Sequence, residues 1–110
     1  MSGQDLCLEL RHKQQMLETS LGELGKCGRA NAKAEGAYRV ALAKKILVER
    51  DKGTPVTIIS DICRGDRGIA ELKFRRDVAE VMYQVALETI NVYKIEARQI
   101  EAQIEREWKG

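Results

Sequence analysis

One proline in 110 residues, Pro55, sits at the midpoint of the chain, inside "GTPVTIISDICRGDRG" at 53–68. Proline is excluded from helix interiors, so a chain with a single one has a single place where a turn is enforced. The stretches on either side are charged and rich in Ala, Leu, Glu, Lys and Arg, residues that favour helix. Aromatic residues at 5% and the scarcity of turn clusters exclude a β-sandwich or barrel. The reading is all-α and a single domain over 1–110: a helix over about 5–52, a tip over 53–66 and a helix over about 67–108. The two long helices are expected to fold back as a long antiparallel helical hairpin with a short helical tip.

In the first helix Cys7, Leu10, Leu17, Leu21 and Leu24 fall on alternating steps of three and four, with Gln14 in one polar slot. That is the spacing of a helix that packs on a helix. Small residues then replace the leucines, from Gly22 through Gly25, Gly28, Ala30, Ala32 and Ala34 to Gly36 and Ala37. Interior glycines each cost about 1 kcal/mol of helix stability relative to alanine. No proline marks a stop there, so a continuous helix is expected, its small residues opposite Tyr83, Leu87, Ile90 and Tyr93. At the turn, Gly53 suits a left-handed helix terminus, Thr54 and Pro55 suit a helix start, and Asp66 suits the cap of the last helix. Val56, Ile58, Ile59 and Ile62 are expected to form a small apolar core of the tip.

The last helix carries a stripe of Ala79, Met82, Ala86, Ile90, Tyr93, Ala97, Ile100 and Ile104. Val81, Val85, Val92 and Ile95 lie off that stripe. A helix apolar on more than one face is buried on more than one face, which one partner helix cannot provide. A two-helix hairpin also buries little core for its length. The sequence therefore predicts a homo-oligomeric helical bundle with Val81, Val85, Val92 and Ile95 at the interface.

Charge is uneven along the chain. Residues 39–76 hold ten basic and five acidic groups, whereas residues 77–110 hold four basic and seven acidic ones. The excess of cations falls at the turn, and Arg64, Arg67, Arg75 and Arg76 are the expected contacts for an anionic ligand or partner. Few aromatics lie nearby, which disfavours stacking on single-stranded bases. The fragment "RGD" at 64–66 reads as a coincidence, since no secretion signal is expected at "MSGQDLCLEL", and the glycines do not form a phosphate-binding Walker loop. Glu9 and His12 have the Glu-x-x-His spacing of di-iron bundles, but those need a second copy and two further glutamates. His12 is the sole histidine, and the three cysteines form no Cys-x-x-Cys pair. No metal, cofactor or catalytic residue is expected, and the chain reads as a non-enzyme. No apolar run is long enough to span a membrane, and a cytoplasmic location is expected.

The tract from Ala37 to Trp108, with its Gly-x-Pro-Val-Thr turn at 53–57 and its Ile-Glu-Arg-Glu-Trp ending, resembles a group of small uncharacterised proteins in temperate phages of Gram-positive bacteria. The resemblance implies a setting in the host cytoplasm, where small helical phage proteins bind and block host factors. The expected function is binding of a host factor or phosphate-bearing ligand through the tip, in the manner of counter-defence. A DNA- or RNA-binding accessory role in phage replication or recombination, and a structural assembly role, are the alternatives.

Overall fold

A computed structural model describes residues 3–109. They form three helices: α1 over Gly3–Asp51, α2 over Val56–Gly65 and α3 over Arg67–Lys109. The chain is all-α, and α1 runs unbroken through every glycine between Gly22 and Gly36. Contacts divide the described residues into two compact units, one made of residues 3–26 with 83–109 and the other of residues 27–82.

In the first unit α1 and α3 lie antiparallel, since Lys13 pairs with Glu96 and lies over the Tyr93 ring at 5.8 Å. The inward face of α1 here is Leu6, Leu10, Lys13, Leu17, Ser20 and Leu24, a strict alternation of four and three. Leu10, Leu17 and Leu24 were legible as this face. Cys7, Gln14 and Leu21 are exposed instead, because the second row of the seam runs one residue earlier, through Leu6, Lys13 and Ser20. Lys13 occupies an inward position by burying its aliphatic stem and keeping its ammonium on Glu96. That same register puts Tyr93 beneath Lys13 rather than opposite the glycine-rich zone.

On α3 the half-buried and buried positions Tyr83, Ala86, Ile90, Tyr93, Ala97, Ile100 and Ile104 continue the same three-four pattern. The expected stripe holds except at Met82, which is 51% exposed while its neighbour Tyr83 turns inward. Met82 and Tyr83 both keep a three-four spacing with Ala79 and Ala86, so spacing alone did not choose between them, and it is the Tyr83 ring that packs inward.

In the second unit the end of α1, the whole of α2 and the start of α3 pack together. Gly53, at φ +79°, ends α1. The Thr54 N–H donates to the Glu49 carbonyl at 3.1 Å and the Gly53 N–H to the Arg50 carbonyl at 3.0 Å. This pair of bonds is a Schellman terminus, which satisfies carbonyls that the helix leaves open. Thr54 does not cap α2. Its hydroxyl donates to the Glu49 carboxylate at 2.8 Å, and Pro55 stands before Val56 without a side-chain cap. Asp66 does cap α3, accepting from the Ile69 N–H at 3.0 Å.

The tip core differs from the expected one. Ile59 and Cys63 are buried and Ile62 is half-buried, with Ile69 of α3 buried beside them in the chain. Val56 and Ile58 are exposed, at 76% and 43%. The 3.6-residue period sets Ile58 off the row of Ile59, Ile62 and Cys63, whereas Val56, three residues before Ile59, keeps to that row's side and is exposed at the first residue of α2.

A Cβ placed on Gly53 meets nothing within 4 Å, so the cost of a side chain there is conformational and not steric. Gly53→Ala is expected to lower stability by about 1–2 kcal/mol, the penalty of a left-handed L-residue, in urea denaturation followed by circular dichroism. Ile59→Ala, which empties part of the small tip core, is expected to cost about 2–5 kcal/mol in the same measurement.

Candidate functional site

The turn is held by a buried carboxylate. Glu49 is 5% exposed and collects three partners: the Thr54 hydroxyl at 2.8 Å, Lys45 Nζ at 3.3 Å and Lys52 Nζ at 3.5 Å. Lys45 reaches on to Asp66 at 3.7 Å, linking the end of α1 to the start of α3. The Thr54 hydrogen bond, then Lys45 and Lys52, hold the Glu49 carboxyl below its ordinary range against the opposing effect of burial. The Glu49 hydrogen bond in turn raises the Lys45 ammonium.

A second cluster lies further along the same unit. The Arg76 guanidinium is 4.5 Å from the centroid of Tyr38, 3.5 Å from Glu35 and 3.0 Å from Asp77. The hydrogen bond to Asp77 raises its pKa further, so Arg76 stays charged at all working pH. Glu35 also holds Arg39 at 2.6 Å. The Arg76 cluster was hidden in the sequence because it joins residues far apart in number, whereas the partners of Glu49 are its near neighbours and were passed over as ordinary surface charge at a helix end. The polar residues that interrupt the apolar seam of α1, Glu35, Lys45 and Glu49, were the available signal.

Between α1 and α2 lies an open groove of about 340 Å³. Tyr38, Leu42, Ile46 and Arg50 line one side as a row of every fourth residue on α1, and Val56, Ile59, Ser60, Cys63 and Arg64 line the other. Its floor is apolar, and an arginine from each helix stands at its edge. Arg50 has no side-chain partner among the described residues, and Arg64 has only Asp61 at 3.9 Å, with both groups largely exposed. The helical row with Arg50 was missed in the sequence reading, which placed the cationic surface on residues after the turn.

The four arginines singled out from sequence thus separate. Arg64 lines the groove, and Arg67, the first residue of α3, is exposed without a partner among the described residues. Arg75 is paired with Glu71 at 3.1 Å, and Arg76 is bound into the Tyr38 cluster. Val81, Val85, Val92 and Ile95 are 60%, 51%, 44% and 53% exposed. His12 is exposed on α1, and among the described residues no three His, Cys, Asp or Glu side chains converge as metal ligands. Among them, too, no helix is long and apolar enough to cross a membrane. No known protein family, curated protein or solved structure matches this chain.

Because the folded-state pKa of Glu49 is depressed, its contribution to stability is present above the unfolded carboxylate range and lost as pH falls through the folded value. Glu49→Gln is therefore expected to be less stable than the wild type at pH 7. The difference should shrink as the pH is lowered below about 4, the ordinary carboxylate pKa. Urea midpoints measured from pH 7 to pH 3 check this, and a gap that persists unchanged into acid would refute it.

Proposed function

We propose that this chain is a non-catalytic, homo-oligomeric helical protein that binds an anionic partner at the turn between α1 and α3. The observation that carries this reading is the groove beside α2, whose apolar floor is flanked by Arg50 and Arg64. Arg50, with no side-chain partner among the described residues, and Arg64, held only by Asp61 at 3.9 Å, can take a phosphate or carboxylate from outside in a planar two-point contact that lysine does not match. Arg67 stands one residue into α3 and adds to the same cationic surface. The partner class is a host factor with an acidic or phosphate-bearing surface, met in the host cytoplasm. The resemblance of residues 37–108 to small phage proteins supports that setting alone, in which blocking a host factor would serve counter-defence.

Nucleic acid is the second reading, favoured by the balance of ten basic to five acidic groups over residues 39–76. The groove favours the first reading, because an apolar floor has no use for a duplex backbone. A structural assembly role is the third, and would hold if the chain forms large oligomers that bind nothing.

Arg50→Ala/Arg64→Ala is expected to keep its helicity and to lose at least about tenfold in affinity for the partner that copurifies from phage-infected host cells, identified by mass spectrometry. Unchanged retention would sink the groove as the binding surface. Titration of a labelled duplex against salt separates the nucleic-acid reading, since log K should then fall with log salt at about −0.9 per phosphate neutralised.

A further inference from the structure

Helix α3 carries a second row of residues on steps of three and four, distinct from its packed face: Val78, Val81, Val85, Glu88, Val92 and Ile95. The five apolar members are 44–60% exposed. A surface depression of about 320 Å³ lies on this face between Val85, Glu88, Thr89, Val92 and Tyr93. Six consecutive positions of a heptad seam, all but one apolar, are the pattern of a helix that meets another helix.

We infer that this face seats the same face of a second copy, antiparallel, about a two-fold axis passing between Ala86 and Leu87. The inference rests on the oligomeric part of the function proposed above and specifies its geometry. In this register Val78 meets Ile95 of the second copy, Val81 meets Val92, and Val85 meets Glu88. The symmetry makes each contact occur twice.

Charge selects this register. One edge of the seam holds Arg75, Met82, Thr89 and Glu96, and the other holds Asp77, Gln84, Asn91 and Arg98. In an antiparallel pair each edge faces its own copy. Arg75 then meets Glu96, Met82 meets Thr89, Asp77 meets Arg98, and Gln84 meets Asn91. Every charged edge residue meets the opposite sign. Slipping the pair by one heptad toward the N-terminus sets Arg75 and Asp77 against Thr89 and Asn91. Slipping it the other way sets Asp77 against Glu105. A parallel pair places Glu88 against Glu88 in one layer and brings no opposite charges together. Charge patterns of this kind fix orientation and register more than raw affinity.

Within the chain Arg75 already holds Glu71, Glu96 holds Lys13, and Asp77 holds Arg76. Arg98 is exposed and has no partner among the described residues, so the Asp77–Arg98 pair carries the test. Sedimentation equilibrium at micromolar concentration would compare the wild type with Arg98→Glu, Asp77→Lys, the double variant and Val85→Glu, with circular dichroism to confirm that each is helical. Each single reversal turns two attractive contacts repulsive and is expected to weaken the dimer about tenfold. The double reversal restores opposite signs and should return to within about threefold of the wild type. A double variant no tighter than the singles, or reversals without effect while Val85→Glu dissociates the pair, would overturn the register and leave the oligomer. A wild type that is monomeric would overturn both, and leave the groove beside α2 untouched.

Discussion

A carboxylate near the C-terminal end of a helix is in the wrong place electrostatically, because the open carbonyls there already present negative charge. Glu49 is in that position and is nearly excluded from water as well. Two lysines and one hydroxyl make it tolerable, and they come from three places: Lys45 within α1, Lys52 at its end and Thr54 beyond Gly53. The hydroxyl reaches the carboxylate only if the chain reverses at Gly53, which needs the left-handed backbone found there. The electrostatics and the turn therefore enforce each other. With Lys45 also on Asp66, the cap of α3 is drawn into the same arrangement. A buried ion pair of this kind adds little net stability over a well-packed apolar cluster, but breaking it strands a charge. Its value here is that it fixes where α2 begins and α3 starts.

Much of this fold was legible in the sequence, and the failures have one physical origin. Pro55, Gly53 and Asp66 act through backbone constraints local to themselves, so the turn and the start of α3 could be located from a few residues. Leu10, Leu17 and Leu24 act through periodicity and were equally plain. The second row of the seam was misplaced because it contains Lys13 and Ser20, which an apolar pattern passes over in favour of Cys7 and Leu21. A lysine whose stem is buried reads as a surface residue until its partner is known, and Glu96 lies 83 positions away in the sequence. The groove was hidden for the same reason. Its two sides come from α1 and α2, and only their packing brings Arg50 level with Val56 and Arg64.

The core that results is thin. Among the described residues the buried apolar side chains are Leu6, Ile59, Cys63, Ile69, Ile90, Ala97 and Ile100, shared between two units. Several inward positions on α1 are small or polar instead: Ser20, Asn31, Ala34 and Lys45. Such residues specify register, since each polar member needs its own partner, but they contribute little apolar burial. The valines on the outer row of α3 offer the area that the seam lacks. A chain with more exposed valine than buried valine gains stability by covering that surface, and its own helices are already committed elsewhere.

The cationic surface at the turn is set by which acids are already used. Over residues 39–76 the five acidic groups are Glu49, Asp51, Asp61, Asp66 and Glu71. Glu49 is consumed by Lys45 and Lys52, Asp66 by the cap of α3 and Lys45, and Glu71 by Arg75. Asp61 holds Arg64 only at 3.9 Å, in full solvent. A contact that long and that exposed is worth little and yields readily to a better anion. Lys45 and Lys52 are thus spent on structure, while Arg50, Arg64 and Arg67, like Lys44 and Lys73, have no carboxylate closer than 3.9 Å among the described residues. Those three differ from the lysines in being the residues best shaped for a carboxylate or phosphate. Two of them flank the apolar groove. An anion arriving there would displace Asp61 rather than dismantle the turn, so binding at the groove would draw on charges other than those that hold the fold.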